Sequence, residues 1–171
     1  MDNQTLSTLN QKQLIYIILS SFFIALGVVL PFLTANVAFL GARFLPMHVP
    51  VLLCGFICGW KYGLIVGLIT PMLRSLLVGM PPLYPTAFIM TFELGAYGLV
   101  AGLLYRKLPK ITYNIFVALM CAMIIGRIVW GLTSLMVYTS AGLEFTLPIY
   151  LAGAFVNAIP GIIFQLIFIP T

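Results

Sequence analysis

Charge is what this sequence lacks. Of 171 residues three are acidic and eight are basic, and charged residues make up 6% of the chain. A soluble domain carries roughly 25%, so this chain has too little polar side chain to cover a water-facing surface. It is an integral membrane protein, and its length suits one domain. Histidine is scarce as well, with His48 the single example. One histidine and three carboxylates leave most hydrolytic chemistries without their parts. There is no H-E-x-x-H pair and no serine–histidine combination at one depth. The G-x-x-x-x-G-K-[ST] phosphate loop is missing, so the chain does not hydrolyse ATP itself. It is not expected to be an enzyme. The three cysteines, Cys54, Cys58 and Cys121, all lie in apolar runs. Cys54 and Cys58 share a helix face, but no further Cys or His is spaced to complete a metal site. They read as small buried hydrophobes, and neither a metal nor a cofactor is expected. The net charge of +5 is scattered beside apolar segments, which is topology signalling and not a nucleic-acid patch.

Hydrophobic residues make up 63% of the chain. The runs they form predict an all-α fold of six transmembrane helices, at about 14–33, 47–59, 62–79, 85–105, 112–137 and 148–170. The polar first thirteen residues, MDNQTLSTLNQKQ, precede a retained span and not a cleaved signal peptide. Pro31 lies near the outer end of that span. The following loop, 35–48, is apolar enough to fold against the helices. The stretch 49–79 is too long for one span of about 20 residues. Gly59-Trp60-Lys61-Tyr62-Gly63 divides it at a turn. The prolines of GMPPLYP, 79–85, cannot sit in a helix interior. Pro160-Gly161 predicts a kink in the last span. With six spans, Lys12, Lys61, Arg106, Lys107 and Lys110 fall on one side, and Arg43 and Glu144 on the other. The positive-inside rule makes the first side cytoplasmic, with both termini on it.

Against this apolar background four polar residues stand out: Arg74, Glu93, Arg127 and Asn157. A charge at mid-bilayer costs a few kcal/mol on insertion scales. A rise of about 1.5 Å per residue places Arg74 roughly 18 Å and Arg127 roughly 22 Å above the inner ends of their spans. The same rise puts Glu93 roughly 12 Å and Asn157 roughly 14 Å below the outer ends. All four then lie between the midplane and the outer face. Two arginines and one glutamate leave that layer at +1. One pair neutralises itself, and the spare guanidinium suits a ligand carboxylate. A structural ion pair, with Asn157 as an interhelical hydrogen bond, is the competing explanation.

Helix spacing adds neighbours. Met90 and Tyr97 share the Glu93 face, Trp130 lies one turn above Arg127, and Tyr150 lies above Asn157. Aromatic walls with a few polar anchors suit a small-molecule site, and an interfacial aromatic belt explains Trp130 and the tyrosines equally well. His48 stands at the outer mouth of the second span, where a lone histidine is more often interfacial than a ligand. Small residues recur at four-residue spacing: Gly55, Gly59, Gly63 and Gly67, then Gly98 and Gly102, and Ser21 and Ala25 on the first span. Such spacing lets helix backbones approach closely.

The six-helix layout, the long first outer loop, the stretch FLPMHVPVLLCGFICGWKYGLIVGLITPMLRSLLVGMPPLYPTAFIMTFELGAYGLVAGLLY and the final NAIPGIIFQLIFIP resemble the S component of an energy-coupling factor (ECF) vitamin transporter. The pantothenate-type members are the most similar. The resemblance implies a high-affinity vitamin-binding subunit in a prokaryotic plasma membrane. It implies partners as well: a transmembrane T component and two cytoplasmic ATPases, against which the subunit topples in the bilayer to deliver its vitamin. Family ligands sit in the outer half between spans four, five and six, under the first outer loop. Glu93, Arg127 and Asn157 lie on those spans. The family's docking stripe on span one is usually Ala-xxx-Ala, and Ser21-xxx-Ala25 is the partial match. A stand-alone proton-coupled transporter using Glu93, and a structural subunit without a ligand, are the alternatives. Small size and the lack of an internal repeat weigh against the first of these.

Overall fold

The first helix starts well before the membrane. In a computed structural model, which describes residues 3–35, 45–109, 111–142, 146–156 and 158–170, α1 runs Asn3–Ala35. Its apolar part, Gln11–Phe32, is long enough to span a bilayer. The polar residues expected to precede the span continue its helix, because nothing before Gly27 breaks the run. Residues 36–44, most of the expected outer loop, lie outside the described residues.

The expected division of 49–79 is present and needs one residue. Helix α2 is His48–Cys58 and α3 is Trp60–Val78. Gly59 between them has φ +94° and ψ 173°, a conformation open essentially to glycine alone. Trp60, Lys61, Tyr62 and Gly63 are already helical. Gly79 ends α3 in the left-handed conformation, its N–H donating to the Ser75 carbonyl at 2.9 Å. This is the common glycine stop signal.

Proline sets the next two helix starts. Tyr84 is extended, with φ −126° and ψ 135°, as expected of a residue before proline. A kinked turn over Leu83–Ala87, closed by the Ala87 N–H donating to the Pro82 carbonyl at 2.9 Å, then leads into α4, Phe88–Lys107. Helix α5 is Thr112–Ser140. The last segment is broken upstream of the expected Pro160 kink. Helix α6, Leu147–Leu151, passes through a π-helical turn at Ala152–Val156, and α7, Ile159–Phe168, follows. Pro160 sits in the first turn of α7. That is where proline's missing N–H costs nothing, so it starts a helix and does not bend one.

Among the described residues every regular element is helical. Five stretches are long and apolar enough to cross a membrane: Gln11–Phe32, Trp60–Val78, Leu83–Lys107, Tyr113–Ser140 and Leu147–Phe168. Helix α2 is equally apolar, but its 11 residues extend only about 16 Å.

Helix α4 lies at the centre and packs on α2, α3 and α5. Glycine is what lets it. A β-carbon at Gly55 would meet the Gly98 carbonyl oxygen at 2.7 Å, and one at Gly63 would meet it at 2.6 Å. A β-carbon at Gly102 would lie 2.6 Å from the Trp60 α-carbon. The four-residue glycine spacing therefore serves three helix backbones in direct contact. One apolar cluster, with Phe23, Val51, Cys54, Val66 and Leu94, joins α1 to α2, α3 and α4. A second, with Leu52, Tyr97, Ala101, Leu119 and Met123, joins α2, α4 and α5. Large apolar side chains such as Ile18, Leu76 and Leu132 point outward, as they must where the solvent is lipid.

Candidate functional site

Central α4 brings its one carboxylate to the meeting point of three helices. Glu93 is 2% exposed. Its Oε1 lies 3.0 Å from Arg127 Nη1 on α5 and 3.4 Å from His48 Nε2 at the start of α2. The His48 ring stands edge-on to Tyr97, one turn further along α4, with centroids 4.9 Å apart at 87°. Gly126 makes room for that tyrosine, because a β-carbon there would collide with the Tyr97 ring. His48, Glu93, Tyr97 and Arg127 thus form one buried cluster drawn from α2, α4 and α5. His48 is a buried member of this cluster, 1% exposed.

The contacts are close in distance but poorly aligned. Among the described residues Glu93 Oε1, both His48 ring nitrogens and Arg127 Nε and Nη2 make no hydrogen bond of good geometry. A buried donor left unsatisfied costs about 1–3 kcal/mol, and more if it is charged. Arg127 therefore turns Nη1 toward Glu93 and keeps its Nε–Nη2 edge free. That edge is one of the two guanidinium faces able to hold a carboxylate through a parallel pair of hydrogen bonds.

Arg74 does not join the cluster. Its Nη1 donates to the Val28 carbonyl of α1 at 2.6 Å, and its guanidinium lies 5.1 Å from the Phe32 ring centroid. The spare arginine inferred from the charge count ties α3 to α1 and pairs with no carboxylate among the described residues. Azimuth around α3, which depth does not report, turned it away.

Toward the C-terminal end of α5 from Arg127 the aromatics meet. Trp130 stacks on Tyr150 at 6.2 Å and 25°, and the Tyr150 hydroxyl donates to the Arg127 carbonyl at 3.5 Å. Gly131 and Gly153 are the seats: a β-carbon at Gly131 would strike the Tyr150 ring, and one at Gly153 would come within 2.7 Å of Trp130. An apolar cleft beside this stack, lined by Ile128, Leu132, Leu135 and Leu147, opens to the lipid-facing surface and not to the charged cluster. Met90 packs instead into the apolar cluster of α1, α2 and α3. Asn157 lies outside the described residues.

A family model described as ECF transporter, substrate-specific component, matches residues 15–171. The chain belongs to that family. No match to a curated protein or to a solved structure was found. A substrate-specific component is the substrate-binding subunit of a transporter and not an enzyme, and here it is a multi-pass membrane protein with five apolar helices of spanning length. The family as a whole works with a small-molecule substrate and with T-component and ATPase partners.

Two further buried polar residues of this substrate-specific component carry atoms without a hydrogen-bond partner among the described residues: Ser134 Oγ, fully buried on α5 two turns beyond Arg127, and Gln165 Nε2, on a side chain 1% exposed on α7. Gln165 bears the same cost of polarity in an apolar run as Asn157. Ser134 follows Arg127 at i+7, the same face of a helix. On α1, Ser21 and Ala25 are exposed, in a stripe with Ile18, Phe22 and Val29. The Ser21 hydroxyl is turned back on its own helix, donating to the Ile17 carbonyl at 3.0 Å. Among the described residues no group of three or more His, Cys, Asp or Glu could hold a metal ion.

Proposed function

We propose that this chain captures a small carboxylic-acid vitamin, pantothenate being the best candidate, from outside a prokaryotic cell. The free Nε–Nη2 edge of Arg127 is the observation that carries the reading. A buried cation with two unpartnered donors is an incomplete structure that a ligand carboxylate completes. Glu93 holds the guanidinium in orientation through Nη1, Tyr97 and His48 wall the inner side, and Trp130 with Tyr150 covers the outer side. Asn157 is proposed, from the sequence alone, as a polar contact to the rest of the ligand. Arg74 serves the α1–α3 contact.

The chain crosses the membrane six times with both termini cytoplasmic, α2 forming a short second crossing. The charge distribution supports this topology. Delivery follows when the loaded subunit topples against a T component driven by two ATPases. The exposed Ser21–Ala25 face of α1 supports that stripe as the docking surface, because small residues there interrupt a row of large exposed ones.

Equilibrium binding of a vitamin panel to the purified chain is the test. Tight binding of an acid, with no transport in vesicles lacking ATPases, is the expected outcome. Failure of every vitamin to bind overturns the reading. A second reading, proton-coupled transport through Glu93, is favoured by the burial of that carboxylate beside His48. Proton-driven uptake by the chain alone would establish it.

A further inference from the structure

We infer that His48 is the charge-compensating residue of the site, and that an acidic ligand enters together with one proton taken up on the His48 imidazole. This rests on the proposal that Arg127 receives a ligand carboxylate. The argument is a count of buried charge. Glu93 and Arg127 sum to zero. A carboxylate placed on the free edge of Arg127 brings the cluster to −1 in a site where His48, Glu93 and Arg127 are all nearly inaccessible to solvent. Net charge is costly there, so a compensating cation must come from within reach.

The candidates can be enumerated. From α4 the groups facing His48 are Glu93 and Tyr97, and from α5 it is Arg127. On α3, Arg74 is committed to the Val28 carbonyl, and Lys61 and Tyr62 lie at the opposite end of the helix. On α1, Tyr16 pairs with Tyr62 at that same far end. On α2 itself, Cys54 and Cys58 yield no cation. Among the described residues His48 is thus the one neutral side chain of the cluster able to gain a positive charge, and histidine changes charge close to neutral pH as a residue type. Its Nε2 already lies 3.4 Å from Glu93 Oε1. Once protonated it holds Glu93 by a charge-assisted contact, which leaves more of Arg127 to the ligand. The proton moves from solvent to an imidazole nitrogen, no covalent bond to the ligand forms, and the loaded cluster is neutral: His48 and Arg127 positive, Glu93 and the ligand carboxylate negative.

His48 then sets preference. The site takes an acid as a neutral ion pair with its own proton, while a neutral analogue brings no charge to the Nε–Nη2 edge of Arg127 and calls for no proton. The experiment is titration calorimetry with pantothenate, and with its neutral alcohol analogue, in two buffers of different ionisation heat. The result expected is buffer-dependent heat equal to uptake of about one proton per acid bound, and none for the alcohol. Because binding consumes a proton, affinity for the acid falls as pH rises, by up to about tenfold per pH unit. His48→Gln should abolish both the proton uptake and the pH slope. Acid binding without buffer-dependent heat in the unmutated chain overturns the inference and leaves the role of Arg127 standing. Uptake that persists in His48→Gln overturns it also, by placing the proton elsewhere. If neither pantothenate nor any other acid of the vitamin panel binds, both readings fall.

Discussion

Removing Arg127 and Glu93 singly and together separates a binding site from a structural staple. In Arg127→Gln the ligand loses a bidentate, charge-assisted pair. Each hydrogen bond to a charged group contributes about 1.5–3 kcal/mol, so the pair is worth roughly 3–6 kcal/mol. That is an affinity loss of about a hundredfold or more for an acid. Stability responds differently. Breaking a buried ion pair by deleting one partner costs about 3–5 kcal/mol, because the other charge is left uncompensated. The two single variants should not be equal. Arg127→Gln leaves Glu93 with His48 at 3.4 Å, which softens the loss. Glu93→Gln leaves Arg127 without a counter-charge among the described residues and should be the more destabilised. In the double variant both charges are gone, and stability should recover to within about 1–2 kcal/mol of the parent. Binding of the acid should not recover. Thermal unfolding in detergent and equilibrium binding, measured on the same four proteins, complete the cycle. Affinity that returns along with stability in the double variant would refute the reasoning, and so would an Arg127→Gln protein that binds the acid within about threefold of the parent.

Three further predictions concern the scaffold and the outer face. Gly98→Ala places a methyl group into the backbone of Gly63, and should lower stability by about 1–3 kcal/mol in thermal unfolding, where alanine substitution of an ordinary exposed helix glycine would not. Gly59→Ala meets no steric contact but must adopt φ +94°, so it should cost about 1–3 kcal/mol through backbone strain alone. If Ser21 and Ala25 form the docking face, replacing both by leucine should leave vitamin binding unchanged and abolish ATP-driven uptake in vesicles holding the complete transporter. Uptake at the parental rate would show that the partner docks elsewhere.

The charged cluster was half visible in the chain. Glu93 and Arg127 were identified because a charge in an apolar run is conspicuous and depth follows from residue counting. His48 was on view as well, but at a helix mouth its sequence context suggests an interfacial position. Only the packing of α2 against α4 buries it and turns it toward Glu93. Arg74 went the other way: its place in an apolar helix was plain, and the direction of its side chain was not. Rotation about a helix axis depends on which neighbours pack on which face, and a strongly apolar helix carries little amphipathic signal to reveal that. The kink attributed to Pro160 lies upstream for a local reason, since proline is as suited to beginning a helix as to bending one, and the choice is made by the residues before it.

Composition and spacing by themselves determined that this chain is a helical membrane protein, where α2 and α3 divide, which helices approach through glycine, and which residues pay the cost of being polar in lipid. These properties depend on solvation and on local backbone geometry, both written residue by residue. Tertiary structure alone decided which of those polar residues meet. It joined Glu93 to Arg127 and His48, sent Arg74 to α1, and left one edge of the Arg127 guanidinium without a well-aligned partner among the described residues. A pairing of charges depends on the distance and direction between different helices, and no single helix contains that information.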